Sequence, residues 1–332
     1  MAILRRLAGS WWFRLLVSAG LLAIVATQID FHALRAGLTE KSWAWLAAAV
    51  AVLLASFVVG ALRWHVFLDA ARIGSTRRDA VRAYFIGTFT TNFLPTQLGG
   101  DLARAWVASG EGTRVRSITT VVLDRASALA CLIVVGWIGV ITNVAAVPGQ
   151  LVAALGAATA AFALAVLLSV LLFRLGPRRR SPKQLGPVVQ DVRDALVSGL
   201  AKPVLWRTFA IGLVFQGLVY LAAWLIARSI SLDVPFAVLG AVLAPVLILA
   251  MAPISIGGLG VREGSFVLLL GYAGVTPTNA TLFSLLSGAV FALASLPGAL
   301  ALLIGRRTPS RTSETLQDRS STVESASIEK PL

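Results

Sequence analysis

Pro95-Thr96-Gln97-Leu98-Gly99-Gly100-Asp101-Leu102-Ala103-Arg104 is a proline–glycine break that carries two charges, and its skeleton occurs twice. Pro253-Ile254-Ser255-Ile256-Gly257-Gly258-Leu259-Gly260-Val261-Arg262 repeats P-x-x-x-G-G-x-x-x-R, 158 residues further on (253 − 95). Proline removes a backbone donor and glycine loosens a helix, so each copy is expected to unwind the chain. Unwound backbone at membrane depth is tolerated only inside protein or along a polar cavity. A pair of such breaks in corresponding places of two halves points to a transporter's substrate site. Glycine also lets helices approach closely, so tight interhelical packing is the competing explanation. Packing alone does not call for the arginines.

The surroundings of the two copies are those of a membrane. The chain is 57% hydrophobic and 13% charged, with a mean hydropathy of +0.83, whereas a soluble domain carries about 25% charged residues. The net charge of +14 does not indicate nucleic acid, because the basic residues cluster between apolar runs, as the positive-inside rule and anionic headgroups require. Cys131 is the single cysteine and lies in an apolar run, so a disulfide framework is excluded. His32 and His65 are the only histidines and fall in different flanking segments, leaving metal catalysis without ligands; no cofactor is expected.

Working outward, full spans are expected at 15–27, 43–62, 117–147, 151–173, 209–227 and 280–304. The first has the basic-then-apolar shape of a signal peptide, but Val25-Ala26-Thr27-Gln28 is a mediocre cleavage site, and a retained helix is the better reading. Tyr84 to Leu94 is apolar for only eleven residues, about half a membrane at 1.5 Å per residue. With Leu102 to Ala108 it reads as a re-entrant hairpin from the cytoplasm. The uncharged run Val234 to Val261, with Ser265 to Tyr272, reads as a second hairpin from outside.

The fold class is therefore an all-α polytopic membrane protein with about six full transmembrane helices and two re-entrant helical hairpins in an inverted repeat. One transmembrane domain covers 1–304, its halves about 12–147 and 151–304. A basic segment, 174–207, joins them, carrying an amphipathic helix with Val188, Val189, Val192, Leu196 and Leu200 on one face. That helix either lies on the inner surface or packs beneath the bundle. The tail 305–332 is polar and expected to be disordered. Segments assigned to the cytoplasm, both termini included, hold 24 of the 29 Lys and Arg, Arg63 and Arg104 among them. Eight tryptophans, Trp64 and Trp106 among them, fall near span ends as an aromatic belt would.

Charges at the breaks are costly. Asp101, Arg104, Asp124, Arg125, Arg262 and Glu263 would each cost about 2.5–3.5 kcal/mol at a lipid-exposed helix centre. They must face one another or water. Structural ion pairs are one reading. The other adds a ligand: a half-helix N-terminus capped by Asp101, glycine amides and an arginine suit an anionic group, most naturally phosphate. Asn92, Gln97 and Ser255 are placed to add hydrogen bonds. The expected substrate-binding set is thus Asn92, Pro95, Gln97, Gly99, Gly100, Asp101, Arg104, Asp124 and Arg125, with Pro253, Ser255, Gly257, Gly258, Arg262 and Glu263 in the second copy. Opposed sites suit an amphiphile whose headgroup crosses the membrane while its tails stay in lipid.

Asn92-Phe93-Leu94-Pro95, Gly99-Gly100-Asp101 with Arg104, Asp124-Arg125, and Pro253 to Gly264 resemble the lysylphosphatidylglycerol synthase transmembrane region family, also called flippase-like, over roughly residues 12–304. The resemblance implies an integral bacterial or archaeal membrane protein that handles lipids, with translocation of aminoacylated or polyprenyl-linked lipids favoured. In the bifunctional members a soluble aminoacyltransferase domain follows the membrane part. Here about 28 residues follow the last span, so no enzyme is expected. The expectation is a flippase of an anionic phospholipid or lipid-linked phosphate in the inner (plasma) membrane. Its partners would be lipids with anionic headgroups and, in one reading, an envelope-biogenesis enzyme. The alternative is a non-catalytic membrane scaffold for an envelope glycosyltransferase or lipid-modifying enzyme.

Overall fold

The computed structural model describes residues 40–92, 97–110, 112–175, 186–250 and 260–304, and among them every regular element is a helix. In chain order these are α1 (Glu40–Ala70), α2 (Arg77–Thr91), α3 (Gln97–Ala108), α4 (Arg114–Thr142), α5 (Gly149–Leu175), α6 (Pro187–Gly199), α7 (Lys202–Ser229), α8 (Phe236–Ala250), α9 (Val261–Gly271), α10 (Pro277–Ser295) and α11 (Pro297–Leu303). Five helical stretches are long and apolar enough to cross a membrane: Ser42–Ala70, Arg114–Thr142, Gly149–Leu171, Lys202–Ser229 and Pro277–Leu303. They correspond to five of the six expected spans. The first expected span (15–27), the tail (305–332), residues 95–96 of the first break, Pro95 included, and residues 253–259 of the second, with Pro253, Ser255, Gly257 and Gly258, lie outside the described residues.

Local chemistry sets the boundaries. Thr76 caps α2 by accepting a hydrogen bond from the Asp79 backbone amide (3.3 Å), while Asp79 accepts one from the Thr76 amide (3.1 Å), a reciprocal capping box. Thr276 accepts from the Asn279 amide (3.4 Å) and Pro277 occupies the first turn of α10, where its missing N–H costs nothing. Pro297 ends α10 and starts α11.

The half-repeat has a counterpart in the packing. α1, α2, α3 and α4 begin at residues 40, 77, 97 and 114, and α7, α8, α9 and α10 at 202, 236, 261 and 277, offsets of 162, 159, 164 and 163. With α10 and α11 together taken as the counterpart of α4, the packed pairs exchange with one another. The pair α1–α2 maps on to α7–α8, α2–α3 on to α8–α9, α3–α4 on to α9–α10, and α4–α8 on to α11–α2. α1 and α7, counterparts of each other, form the most extensive contact.

Close crossings are made by glycine. A Cβ on Gly136 of α4 would lie 2.8 Å from the Gly240 carbonyl oxygen of α8, and one on Gly298 of α11 would run into the Phe85 backbone of α2. Without a hydrophobic force between helices in lipid, such backbone approach supplies the packing. Tyr220 of α7 is fully buried and its hydroxyl lies 3.2 Å from both the Leu132 and Gly240 carbonyls, tying α7 to α4 and α8. Phe57 packs edge-on against Phe85 and Phe291, joining α1, α2 and α10.

One sequence expectation is corrected. α1 runs beyond residue 62 to Ala70, and Arg63 and Trp64 are buried inside the bundle rather than placed in a cytoplasmic loop and an aromatic belt. Trp64 donates its indole N–H to Thr120 Oγ1 (3.1 Å). α6 docks on α4, but through the buried Ala195 and Gly199 and an Arg116–Asp191 ion pair (2.7 Å). Val188, Val189 and Leu200 of the expected apolar face are exposed. Small residues let the helix sit close, which branched ones would prevent.

Candidate functional site

Asp101 and Arg104 lie one turn apart on α3, the spacing that brings helical side chains together. Their ion pair, Arg104 Nη2 to Asp101 Oδ1, is 3.1 Å. Asp124 and Arg125, adjacent on α4, point to different partners. Asp124 Oδ2 accepts from Arg104 Nη1 (3.0 Å), and Arg125 Nε donates to Asp101 Oδ2 (2.7 Å). The other Asp124 oxygen accepts from Arg63 Nε of α1 (2.9 Å). The result is a single chain of charges, Arg63–Asp124–Arg104–Asp101–Arg125, across α1, α4 and α3. It holds three arginines and two aspartates, a net charge of +1.

Four of these five side chains are at most 8% exposed, and Arg125 is 34% exposed. Charges taken from water must be paired and hydrogen-bonded, and pairing here is incomplete. Arg63 Nη1 and Arg104 Nε are buried and have no hydrogen-bond partner among the described residues. Aromatic faces supply part of the remainder. The Arg104 guanidinium lies 4.8 Å from the Trp64 ring centroid and 5.0 Å from that of Tyr84, and Arg63 lies 4.9 Å from Phe215. Desolvated contacts of this kind are worth about 2 kcal/mol each, yet they neutralise no charge.

The glycines of the first break divide between roles. Gly100 is a packing residue: a Cβ there would collide with the Gly87 carbonyl and the Thr91 side chain of α2, and one on Gly87 would meet Arg104 Cβ at 2.8 Å. The Gly87–Gly100 crossing therefore presses α3 on to α2 and sets where Arg104 stands. Gly99 is half-buried in the first turn of α3. Asn92 donates to the Phe89 carbonyl (3.2 Å) and to Ser295 Oγ of α10 (2.9 Å), closing the end of α2. Gln97 opens α3, and its side chain lies outside the described residues.

The second copy is built differently. Gly260 holds φ +82° ahead of α9, a conformation that favours glycine. Its amide donates to Glu263 Oε2 (2.6 Å). Glu263 Oε1 accepts from Arg262 Nη2 (2.7 Å) and lies 3.4 Å from Ser284 Oγ. Glu263 is fully buried and Arg262 about a quarter exposed, its guanidinium lying against Gly288 of α10. This set is charge-neutral and its carboxylate is fully used. No ion pair joins the two sets among the described residues.

Arg63 is the member that sequence reasoning missed. It closes a charge-free run and the next basic residue is Arg72, with Trp64-His65-Val66-Phe67-Leu68 between them. An arginine followed by that much apolar helix is inside the bundle rather than at its edge, and this signal was available.

A family model described as lysylphosphatidylglycerol synthase TM region matches residues 11–304. The chain belongs to that family. Neither a curated protein nor a solved structure matches it. Membership makes it a multi-pass, lipid-related membrane protein. The match takes in both glycine breaks and both charge sets.

Proposed function

We propose that this protein translocates lipids bearing an anionic headgroup, and that the Arg63–Asp124–Arg104–Asp101–Arg125 chain receives that headgroup. The observation that carries the reading is a pair of buried guanidinium nitrogens, Arg63 Nη1 and Arg104 Nε, without a hydrogen-bond partner among the described residues, in a chain whose excess positive charge, Arg125, is partly exposed. Buried donors call for an acceptor, and an excess cation that solvent reaches can meet an anion. Guanidinium groups recognise phosphate by several parallel hydrogen bonds. The paired packing of α1–α4 and α7–α11 supports two halves in an inverted repeat, the arrangement in which a midplane site opens alternately to either face. In this reading α2–α3 and α8–α9 are the re-entrant hairpins, and both termini face the cytoplasm at the inner (plasma) membrane. The headgroup travels through protein while the acyl chains remain in lipid. The role is transport or lipid handling rather than catalysis.

The test is reconstitution in liposomes with fluorescent anionic, zwitterionic and polyprenyl phosphate lipids. Anionic or polyprenyl phosphate lipids are expected to cross faster than zwitterionic ones. Arg104→Gln is expected to slow them at least tenfold, and Arg262→Gln less, since its set is already neutral. A protein that inserts normally and moves no lipid would support the scaffold alternative instead.

A further inference from the structure

A second basic feature lies away from the buried charge chain. Between the start of α2 and α11 there is a groove of about 400 Å³, lined by Arg77, Arg78, Val81, Arg82, Phe85, Pro297 and Ala301. Its volume is in the range of small-molecule sites. The floor is apolar, and the rim is three guanidinium groups. Arg82 is engaged, donating Nη2 to the Ala301 carbonyl (3.2 Å), which anchors α2 to α11. Arg77 and Arg78 are exposed and take part in no ion pair among the described residues. The neighbouring carboxylate, Asp79, is occupied by the Thr76 amide and hydroxyl (3.1 and 2.6 Å). The groove is thus apolar at depth and carries at its mouth two guanidinium groups, Arg77 and Arg78, that no carboxylate among the described residues pairs.

Its depth in the membrane follows from the helices that form it. Arg77 and Arg78 follow the turn that ends α1, and α11 completes the last span, which finishes at Leu303. Both are ends of spans, the level at which lipid phosphates lie. We propose that the groove holds one anionic phospholipid of the surrounding leaflet. Its phosphate meets Arg77 and Arg78, and an acyl chain runs over Val81, Phe85, Pro297 and Ala301. A free phosphate has no use for the apolar floor, and a zwitterionic lipid offers no net charge to the rim. Occupancy braces α2 against α11, the pair that corresponds to α4–α8 in the other half. This goes beyond the transport reading and does not depend on it.

The experiment uses the full chain in nanodiscs containing a photoactivatable phosphatidylglycerol, or a phosphatidylcholine with the same chains. Adducts are mapped to peptides. Phosphatidylglycerol adducts on residues 77–85 and 297–301 are expected to exceed those of phosphatidylcholine. The double variant Arg77→Gln/Arg78→Gln is expected to reduce them about 10- to 30-fold, from the attraction of two arginines near a membrane surface. Ala301→Trp, which fills the floor, is expected to abolish them, and Arg104→Gln to leave them unchanged. Equal labelling by both lipids, or labelling that survives either groove variant, overturns the proposal. So does displacement by free glycerol phosphate at the concentration at which the lipid itself competes.

Discussion

Asp124→Ala is expected to be the most damaging single substitution in the described bundle. Asp124 is the ion-pair partner of Arg63 and one of two partners of Arg104, and it is 2% exposed. Its removal leaves three arginines against one aspartate, with Arg63 buried and deprived of its carboxylate. Breaking a buried pair from one side costs about 3–5 kcal/mol, against a total stability of about 5–15 kcal/mol for a typical protein. In detergent the variant should show a sharply lowered unfolding temperature or fail to elute as a folded species. Asp101→Ala should be milder, because Arg125 is 34% exposed and can turn to water. The double substitution Arg63→Met/Asp124→Leu should recover part of the loss, since apolar residues of similar volume often replace a buried pair without cost. An Asp124→Ala protein as stable as the parent would show that the charge chain is not held together as the distances indicate.

The second large effect is expected at Gly100, where two contributions have opposite signs. Alanine is better than glycine in a helix by about 1 kcal/mol. The new methyl group, however, would fall on the Gly87 carbonyl and the Thr91 side chain. Backbone cannot move aside as a flexible side chain does, and overpacking costs about 1–3 kcal/mol. The clash wins. Gly100→Ala should therefore lower the unfolding temperature despite its helix propensity, and Gly100→Leu should lower it further. It should also displace Arg104, which packs against Gly87 from the same side, so lipid transport should fall by more than the loss of folded protein. A Gly100→Ala chain with raised stability would mean that α2 and α3 are not pressed together.

These two residues also show what was legible beforehand. Five of the span positions were, because uninterrupted apolar runs can hardly be anything else at this composition. The pairing of Asp101, Arg104, Asp124 and Arg125 was partly legible, because the cost of charge at membrane depth forces such residues together. Arg63 was missed despite the apolar helix that follows it, because it stands at the end of one apolar run and near a group of surface arginines, and one-dimensional counting joined it to them. The positive-inside tally therefore included two arginines, Arg63 and Arg104, that are buried. Gly100 illustrates a different limit. The motif showed that a glycine was present, but whether it frees the backbone or admits a neighbouring helix depends on what lies opposite. Gly87, thirteen residues earlier, answers that only in three dimensions. The asymmetry of the two copies was hidden too. Glu263 follows Arg262 directly and closes its own helix start at Gly260, whereas Arg104 shares its carboxylates with two other helices.

The central claim is that the net positive charge of the Arg63–Asp124–Arg104–Asp101–Arg125 chain receives an anionic headgroup. Arg125 tests it most directly, because it is the exposed member and removing it takes away the excess charge while leaving both bonds of Asp124 intact. The measurement is the rate at which liposomes containing Arg125→Gln protein move an anionic lipid, relative to a zwitterionic one. The account predicts at least a tenfold fall for the anionic lipid, with an unfolding temperature close to that of the parent. Unchanged anionic transport by a normally folded Arg125→Gln protein would contradict it.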